Sequence, residues 1–583
     1  MYLYIDNGKY GHNTFYVKKS FRKENGAVST KTVENLGRLD DLKKLHDDPI
    51  VWAKAYIEEL NQKEKESQRT ILLSLSPTKQ IEPDKVAMLD GGYLFLKNIF
   101  YKLNLNSVCQ KISEGYDFKY NLSEILSTLI VNRVLFPCSK QATYEKSQDS
   151  LQAPKFSLKD MYRSLKVIAD STDYIQSEMY KYSKNLGKRN DCILYYDCTN
   201  FYCEIEEEKG IRKYGVSKEN RPNPIVEMGL FLDGDGIPLA FCVHDGNTNE
   251  QKTLKPLEKQ IIEDFKLSKF IVCTDAGLSS IDNRKFNNCG ERAFITTQSI
   301  KKMKVFQKEW ALGTDGWSLI GHNKTYNINE ILNNNDDFES FFDSVFYKER
   351  WFNENGIEQR YLVTFSIKQM KYQRNIRNEQ LERVKKTLKN TKSIDRTRQT
   401  DYKRFIEKIT VTNAGELAQK TTYSLNTAKI FDEEQYDGFY AVATNLEDNA
   451  ESIIKINKGR WEIEENFRFM KDEFDTRPIY LSRDDHIKAH FTTCFLALTI
   501  FRYLEKIIEN KYTGQQILKE LRNFKFHKIQ SEGYIPIYTR TQLTDDLHNK
   551  FGFRTDTQIV TNATMKKIFS FIKKRISQST ELN

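Results

Sequence analysis

The sequence lacks the cysteine patterns that mark disulfide-stabilised or zinc-binding proteins. Nine cysteines are scattered over 583 residues, and no two of them form a Cys-x-x-Cys pair. An odd number at irregular spacing predicts reduced thiols, as in a cytosol. Cys192, Cys198 and Cys203 lie close together, but no histidine has the spacing that a zinc site needs.

Segments that direct a chain to a membrane are also missing. The opening stretch, MYLYIDNGKYGHNTFYV, carries polar and charged residues throughout and is unlike a signal peptide. The most apolar run, from Phe491 to Phe501, is too short to span a bilayer and begins beside His490. Together with the reduced thiols, these absences predict a cytoplasmic protein without a membrane partner.

The excess of positive charge is small overall and concentrated locally. The chain has 90 Lys and Arg against 80 Asp and Glu, a net charge of +10, which suits a nucleic-acid partner without identifying one. Residues 368–408 contain 14 basic and 5 acidic residues. This basic segment is interpreted either as an arm that follows a phosphate backbone or as an ordinary solvated helix. On the first interpretation, the candidate DNA contacts are Lys385, Lys386 and Lys389.

The stretch NKGRWEIEENFRFMK, residues 457–471, predicts an amphipathic helix with a functional face. Apolar residues recur at helical spacing and form one stripe: Ile463, Phe467, Met470 and Phe474. Arg460, Glu464 and Lys471 fall at i, i+4 and i+11, on an adjacent face. The stripe would fix the helix while a carboxylate flanked by cations points into a site. A surface helix with ordinary salt bridges is the alternative.

Two further acids lie at the ends of apolar, strand-like runs. DCILYYDCTNF ends near Asp197, and KFIVCTDAGLSS reaches Asp275 just before a glycine turn. Between them, two apolar stretches flank Asp-Gly-Asp-Gly at 233–236, which predicts a hairpin. An Asp in such a position can simply form a turn or cap a helix. However, the order strand–Asp, hairpin, helix, strand–Asp, long insert, helix–Glu is the one in which ribonuclease-H-like nucleases assemble carboxylates for Mg²⁺.

With these motifs, the chain resembles the DDE transposases of bacterial insertion sequences, in the group marked by a Tyr-Arg-Glu-Lys signature. The resemblance assigns the three acids to Asp197 in YYDCTNF, Asp275 in CTDAGL and Glu464 in RWEIEENFRFMK. It assigns the signature cations to Arg460 and Lys471. The resemblance extends along most of the chain. It includes the stretches KYGVSKENRPN, GIPLAFCVHDGNTNEQKTL, YDGFYAVATN and RPIYLSRDDHIKAHFTTCFLAL.

One position departs from the family pattern. The signature Tyr would fall three residues before Arg460, where this chain has Asn457. The phosphate or base contact usually given to that Tyr therefore has no counterpart there. Trp461 follows Arg460 where related transposases place a Trp that stacks on an extruded base. The alternative for Trp461 is a place in the core behind the helix.

The resemblance implies a chemistry and its partners. Three carboxylates would hold two Mg²⁺ (or Mn²⁺) ions per active site for phosphodiester transfer. Arg460, Arg468 and Lys471 would bind phosphate oxygens beside them. Lys218 and Arg221, in KYGVSKENRPN, are further candidate DNA contacts. The expected substrates are the double-stranded terminal inverted repeats of the element and target DNA, held by a homodimer in the DNA complex.

Two other functions stay open from the sequence. One is a ribonuclease-H-like nuclease, such as a junction resolvase, that cuts DNA without strand transfer. The long insert and the Arg-Glu-Lys helix argue against it. The other is an inactive DNA-binding remnant of a mobile element, against which the three intact acids argue.

The predicted fold is α/β, with a ribonuclease-H-like core of mixed sheet and helices, a β-rich insert, and helical N- and C-terminal regions. Asp275 and Glu464 are 464 − 275 = 189 residues apart, too far for the bare fold. The expected parts are a small N-terminal unit at 1–80, a helical DNA-binding region at 81–188, the first part of the core at 189–300, an insertion domain with the basic arm at 301–435, the second part of the core at 436–485 and a helical C-terminal region at 486–583. A loop is expected at about 530–562 in the last region.

Overall fold

A computed structural model gives the three-dimensional structure. It describes residues 1–7, 13–22, 28–46, 48–67, 77–78, 80, 86, 88–390, 401–410, 421–530 and 532–574. The chain forms two compact units, Met1–Lys85 and Val86–Asn583.

The smaller unit is an antiparallel sheet followed by two helices. Its strands are β1 (Tyr2–Asn7), β2 (Asn13–Arg22) and β3 (Val28–Arg38), in the order β1-β2-β3. Its helices are α1 (Leu39–Leu45) and α2 (Pro49–Ser67). Phe15, Leu42 and Ala53 are buried and form its apolar centre.

The larger unit begins with a short strand and six helices. They are β4 (Leu89–Asp90), α3 (Tyr93–Lys102), α4 (Leu105–Glu114), α5 (Leu122–Leu135), α6 (Lys140–Ser147), α7 (Leu158–Asp170) and α8 (Thr172–Ser183). A capping box between Ser157 and Asp160 fixes the start of α7. α5 is buried on almost every side, which explains why its residues show little amphipathic pattern.

In the described residues, no single helix is long and apolar enough to cross a membrane. The pair α5–α6 meets the length and composition criteria only when its two helices are joined across a 98° bend.

The central elements confirm the predicted ribonuclease-H-like α/β fold. They are β5 (Ile193–Tyr202), β6 (Ile225–Asp233), β7 (Pro238–Asp245), α9 (Leu254–Asp264), β8 (Ile271–Thr274), α10 (Ile281–Asn287) and β9 (Ala293–Thr297). The strand order is β7-β6-β5-β8-β9, with β5, β6 and β7 antiparallel and β5, β8 and β9 parallel. The hairpin predicted at 233–236 joins β6 to β7. Gly236 takes a φ of +75° there, which glycine adopts without strain.

The β-rich insert lengthens the same sheet. Its elements are α11 (Val305–Leu312), β10 (Trp317–Leu319), β11 (Thr325–Tyr326), α12 (Ile328–Asn333), α13 (Asn335–Ser340), β12 (Phe346–Glu354), β13 (Ile357–Phe365), α14 (Ile367–Asn390), β14 (Ile406–Thr410), β15 (Thr421–Leu425), α15 (Thr427–Glu434) and β16 (Phe439–Thr444). β16 pairs with both β9 and β13, so β10 to β13 continue the core sheet to ten strands. β14 and β15 form a separate hairpin. The basic segment comprises α14 and the start of that hairpin, and its residues 391–400 lie outside the described part of the chain.

The last part of the chain contains the helix that carries Glu464 and a long buried helix. Its elements are α16 (Ala450–Lys458), α17 (Trp461–Asp472), α18 (Asp484–Ile507), α19 (Gly514–Asn523), β17 (Lys525–Ile529), β18 (Gly533–Pro536), α20 (Gln542–Phe551), β19 (Val560–Thr561) and α21 (Asn562–Phe571). α18 packs against α3, α5, α7 and β7, and so joins the N-terminal helices to the core sheet. Five 3-10 turns complete the described elements: Lys184–Leu186, Glu250–Lys252, Ala276–Leu278, Ile300–Lys302 and Tyr402–Phe405.

The prediction of a loop at about 530–562 is wrong. That stretch contains β18, α20 and β19, and its strands form a small sheet with β17 and β4. α20 begins at a capping box between Thr541 and Thr544 and buries Leu543, Leu547 and Phe551. Strands of two to four residues show too little alternation to be seen in a sequence.

Candidate active site

Asp197 and Asp275 lie at the same level on neighbouring strands. β5 and β8 are parallel, and their register places Tyr195 beside Cys273. Asp197 follows Tyr195 by two residues and lies inside β5. Asp275 follows Cys273 by two residues and lies directly after β8. The long apolar runs that form these buried strands therefore bring together two acids that are 78 residues apart (275 − 197 = 78).

Backbone amides hold one oxygen of each carboxylate. Asp197 Oδ1 accepts a hydrogen bond from the Cys198 amide at 2.8 Å. Asp275 Oδ1 accepts from Gly277 at 2.9 Å and Leu278 at 3.1 Å, and so caps the 3-10 turn that follows β8. Neither Oδ2 makes a hydrogen bond within the described residues. Each acid is thus fixed in orientation while one oxygen stays available to a ligand.

The charge on Asp197 is poorly compensated. Burial, assisted by the neighbouring Asp275, raises the pKa of this carboxyl from 3.8 to about 6, although Lys218 opposes both effects. Raised carboxyl pKa values of this kind are typical of sites that hold a cation or a proton. A cation between the two acids would relieve this unfavourable charge.

Glu464 projects from α17 into a cleft that Asp197 also lines. The apolar stripe predicted for this helix is buried: Ile463, Phe467, Met470 and, just beyond the helix end, Phe474. The Glu464 side chain is 64% exposed, with Oε1 3.8 Å from Nη2 of Arg460. The three acids do not converge as a closed set of ligands. The Glu464 side chain extends towards solvent beside Arg460.

Elsewhere in the part of the chain that the structure describes, two acids and a histidine do converge. Ligand atoms of Asp545, His548 and Asp556 lie within 4.8 Å of one another. Arg540 and Arg554 already form ion pairs with both of these aspartates. The group is therefore a charge-balanced network at the start and end of α20.

Cations line the cleft between Asp197 and α17. The cleft has a volume of about 300 Å³, and four basic side chains face it: Lys218, Arg468, Lys471 and Arg477. Lys471 donates to Thr199 Oγ1 at 2.8 Å, two residues from Asp197 on the same face of β5. Burial, together with the nearby Lys218, lowers the pKa of Lys471 to about 8. This arrangement of fixed cations around two acids suits a phosphate group next to a metal site.

The other predicted DNA contacts take different positions. Lys218 Nζ lies 2.8 Å from Glu250 and donates to the Cys198 carbonyl. Arg221 stacks 4.5 Å above the Tyr202 ring and does not line the cleft. Arg468 pairs with Glu465 on its own helix, at the cleft edge.

Trp461 is exposed and not part of the core. It begins α17, and 58% of its surface is accessible, so the alternative of a core position is excluded. On the neighbouring helix α16, Asn457 Nδ2 donates to the Tyr440 hydroxyl at 3.3 Å. That hydroxyl is 2.6 Å from Thr297 Oγ1. A tyrosine hydroxyl from β16 therefore lies beside the position of the absent signature Tyr.

Sequence reasoning missed Arg477 and Tyr440. Arg477 forms ion pairs with Glu219 and, at 3.1 Å, with Asp472 at the end of α17. Neither residue belongs to a motif that periodicity or spacing could reveal. Only the packing of β16 and of the segment after α17 places them at the site.

The basic segment is partly structural. Its Arg377 is buried and pairs with Asp437, and Arg404 pairs with Glu433 at 3.0 Å. Lys385, Lys386 and Lys389 lie on the exposed side of α14, outside the cleft that contains Asp197. One face of α14 is therefore structural, and the role of its exposed lysines in DNA binding stays a prediction.

Two family models match this chain. Residues 188–500 match the Transposase DDE domain, and residues 5–71 match the N-terminal domain of IS1634 family transposases. A solved structure, the cryo-EM structure of a piggyBac transposase synaptic complex with hairpin DNA, is similar over 85% of this chain and 87% of that chain. Its sequence identity is 9% and its TM-score 0.36, too distant to support a conclusion by itself. No curated protein matches the sequence. Because the DDE model covers more than half of the 583 residues, the chain belongs to the DDE transposases of insertion sequences.

Proposed function

We propose that Asp197, Asp275 and Glu464 form the catalytic site with which this transposase cuts DNA at the ends of its element and joins the 3′-OH ends to target DNA. One observation carries the proposal. Asp197 and Asp275 stand side by side on parallel strands, each with Oδ2 without a hydrogen-bond partner in the described residues. Asp197 also lines a cleft that it shares with Glu464 and four cations.

The donor set fits divalent metal ions. Carboxylate oxygens are the ligands that Mg²⁺ and Mn²⁺ prefer. The backbone amides already orient Asp197 and Asp275, and Glu464 can complete the set by rotating its exposed side chain inward. Two ions bound here would activate the attacking oxygen and stabilise the leaving oxygen of the phosphodiester.

The cations around the acids bind the DNA strand that is cut. Lys471, held by Thr199, presents a point charge to a phosphate oxygen, and Arg468 and Arg477 present forked donors. Arg460 restrains Glu464 until the metal ions bind. Trp461, exposed at the start of the same helix, stacks on an unpaired base.

Binding along the duplex involves surfaces outside the cleft. The helices of residues 81–188 read the terminal inverted repeats, while Arg221 and the exposed lysines of α14 contact phosphates. Lys218 contacts a phosphate at the edge of the cleft. Two element ends must be joined in a coordinated way, so the active complex is a homodimer with one carboxylate cluster per end. Sedimentation with end DNA should then show two chains and two duplexes. A competent complex with one chain would contradict this arrangement.

The test of the active site is charge removal at each acid. Asp197→Asn, Asp275→Asn and Glu464→Gln should abolish cleavage of a duplex that carries the inverted repeats flanking the gene. DNA affinity, measured on the same duplex, should change little. Asp117→Asn and Glu451→Gln, two exposed acids away from the cleft, are the matched controls. Cleavage at the parental rate by any of the three variants would remove that residue from the proposed site.

The same assay separates the alternative functions. Products in which the 3′ ends are joined to target DNA support a transposase. Cut ends without joined products, under conditions where paired ends assemble, would indicate a nuclease. Binding without any Mg²⁺-dependent cutting would indicate an inactive remnant.

A further inference from the structure

A second cavity opens on the other side of Lys218 from the catalytic cleft. Its volume is about 600 Å³, and Lys218 lines both cavities. Gly277, whose amide orients Asp275, forms part of its wall. The cavity is therefore adjacent to the proposed active site, although no residue of α17 lines it.

Glu227 is a buried acid in the wall of this cavity, and one of its two carboxylate oxygens lacks a hydrogen-bond donor in the described residues. The residue is only 4% exposed, and its Oε1 has no partner in the structure. Burial, with Glu250 nearby, raises the pKa of its carboxyl to about 7. A buried carboxylate oxygen without a donor costs free energy, so such groups usually have a partner when the protein performs its function.

The neighbouring protein donors are already in use. Asn200 and His244 are the cross-strand neighbours of Glu227 on β5 and β7, so their side chains share its face of the sheet. Asn200 Nδ2 donates to the Val216 carbonyl at 3.0 Å, and His244 Nε2 lies 3.0 Å from Cys242 Sγ. Lys218 is held by Glu250 and the Cys198 carbonyl. None of these groups donates to Glu227 Oε1 in the described residues, and a ligand in the cavity would supply the donor that this oxygen lacks.

The walls of the cavity suit a flat, amphipathic ligand. Backbone forms much of the surface at Gly215 and Gly246, where an added Cβ would lie 1.9 Å and 2.1 Å from carbonyl oxygens. Val216 lines the cavity and is 91% exposed, so it offers an apolar contact at the entrance. A polar interior with an apolar rim matches the polar edge and apolar face of a nucleobase.

We infer that this cavity binds an unpaired nucleobase that donates an exocyclic amino group to Glu227. The inference rests on the proposed DNA substrate and goes beyond it, because it assigns a base-reading site next to the phosphate-binding cleft. A carboxylate accepts well from cytosine N4 and repels the O4 carbonyl that uracil has in the same place. Among pyrimidines, the cavity thus discriminates cytosine from uracil.

The experiment measures binding of fluorescein-labelled single strands of dC and dU, each about 20 nucleotides long. Ca²⁺ replaces Mg²⁺ to prevent cutting, and a pH of about 8.5 keeps Glu227 ionised. We expect the wild-type protein to bind dC about fivefold more tightly than dU. Glu227→Gln, whose amide can donate to O4, should abolish this preference or reverse it. Glu207→Gln, at an exposed acid outside both cavities, should leave it intact.

A second measurement needs no protein variant. Strands of N4,N4-dimethyl-dC lack the amino donors, and the wild-type protein should bind them no better than dU. Equal wild-type affinity for dC and dU, or an undiminished preference in Glu227→Gln, would overturn the inference. Specific cutting of end duplexes together with equal dC and dU affinity would overturn this inference alone and leave the proposed function standing.

Discussion

Asp197→Asn should stabilise the metal-free protein while it abolishes cleavage. The folded structure raises the pKa of the Asp197 carboxyl from 3.8 to about 6, chiefly through burial. At about 1.36 kcal/mol for each pKa unit, holding this carboxylate ionised costs the folded state at most about 3 kcal/mol near neutral pH. Asn has the same size and no charge, so the variant avoids this cost.

The sign of the effect sets its pH dependence. Because the folded pKa lies above the unfolded value, the folded state binds the proton more tightly. The destabilisation is absent below the unfolded pKa of 3.8, grows as the pH rises to about 6, and is constant above that. The advantage of Asp197→Asn should therefore fall from about 3 kcal/mol at about pH 7.5 to about 1 kcal/mol at about pH 4.5.

Urea unfolding in EDTA, followed by tryptophan fluorescence, measures this difference. Four of the five tryptophans belong to the larger unit, which contains Asp197. Added Mg²⁺ should stabilise the wild-type protein, by about 2.7 kcal/mol at a hundred times its Kd, and have little effect on the variant. The exposed Asp117→Asn serves as the control. A variant no more stable than this control at either pH, or an advantage that grows towards acid, would refute the reasoning.

Three further predictions concern other parts of the molecule. Arg189→Met should destabilise the larger unit by about 3–5 kcal/mol in urea unfolding, because it leaves Asp233, fully buried and 2.7 Å from the guanidinium, without its partner. Adding Asp233→Leu to that variant should recover much of the loss, and no recovery would show that charge is not the cause. Replacing Lys385, Lys386 and Lys389 with Ala should weaken DNA binding and reduce the slope of log K against log salt by about 3, whereas an unchanged slope in anisotropy titrations would exclude phosphate contacts. Mg²⁺ or Mn²⁺ should support cleavage and Ca²⁺ only DNA binding, so robust gel-assayed cleavage in EDTA would contradict a metal-dependent site.

The main features of the core could be predicted because they depend on short-range patterns. β8 is an apolar run that ends directly before Asp275, and α17 repeats apolar residues at helical spacing. β5 was predicted to end near Asp197 but continues to Tyr202, because the sheet pairs it with β6 over its whole length. The hairpin at 233–236 follows from its glycines and aspartates. These patterns, in their order, predicted the ribonuclease-H-like fold, and the resemblance of the motifs that carry the three acids predicted the transposase family. Both predictions are confirmed.

Other features could not be predicted because they depend on partners far away in the chain. The strands of the insert join the core sheet because β16 pairs with β9 along one edge and with β13 along the other. No local sequence pattern encodes this pairing. The strands within 530–562 were missed because strands of two to four residues carry almost no periodicity. α20 was missed although Leu543, Leu547 and Phe551 recur at helical spacing after a capping box, a signal that the sequence does contain. The exposure of Trp461 likewise depends on which side of α17 packs against the sheet.

By itself, the sequence determined which residue types recur at the spacing of strands and helices, and hence the order of elements and the three candidate acids. The tertiary structure decided the environment of each charged group. Only packing brings Lys471 to Thr199, raises the pKa of Asp197 and leaves one buried oxygen of Glu227 without a donor in the described residues. The physical reason is that periodicity is a property of neighbours along the chain, whereas desolvation and electrostatic pairing depend on neighbours in space.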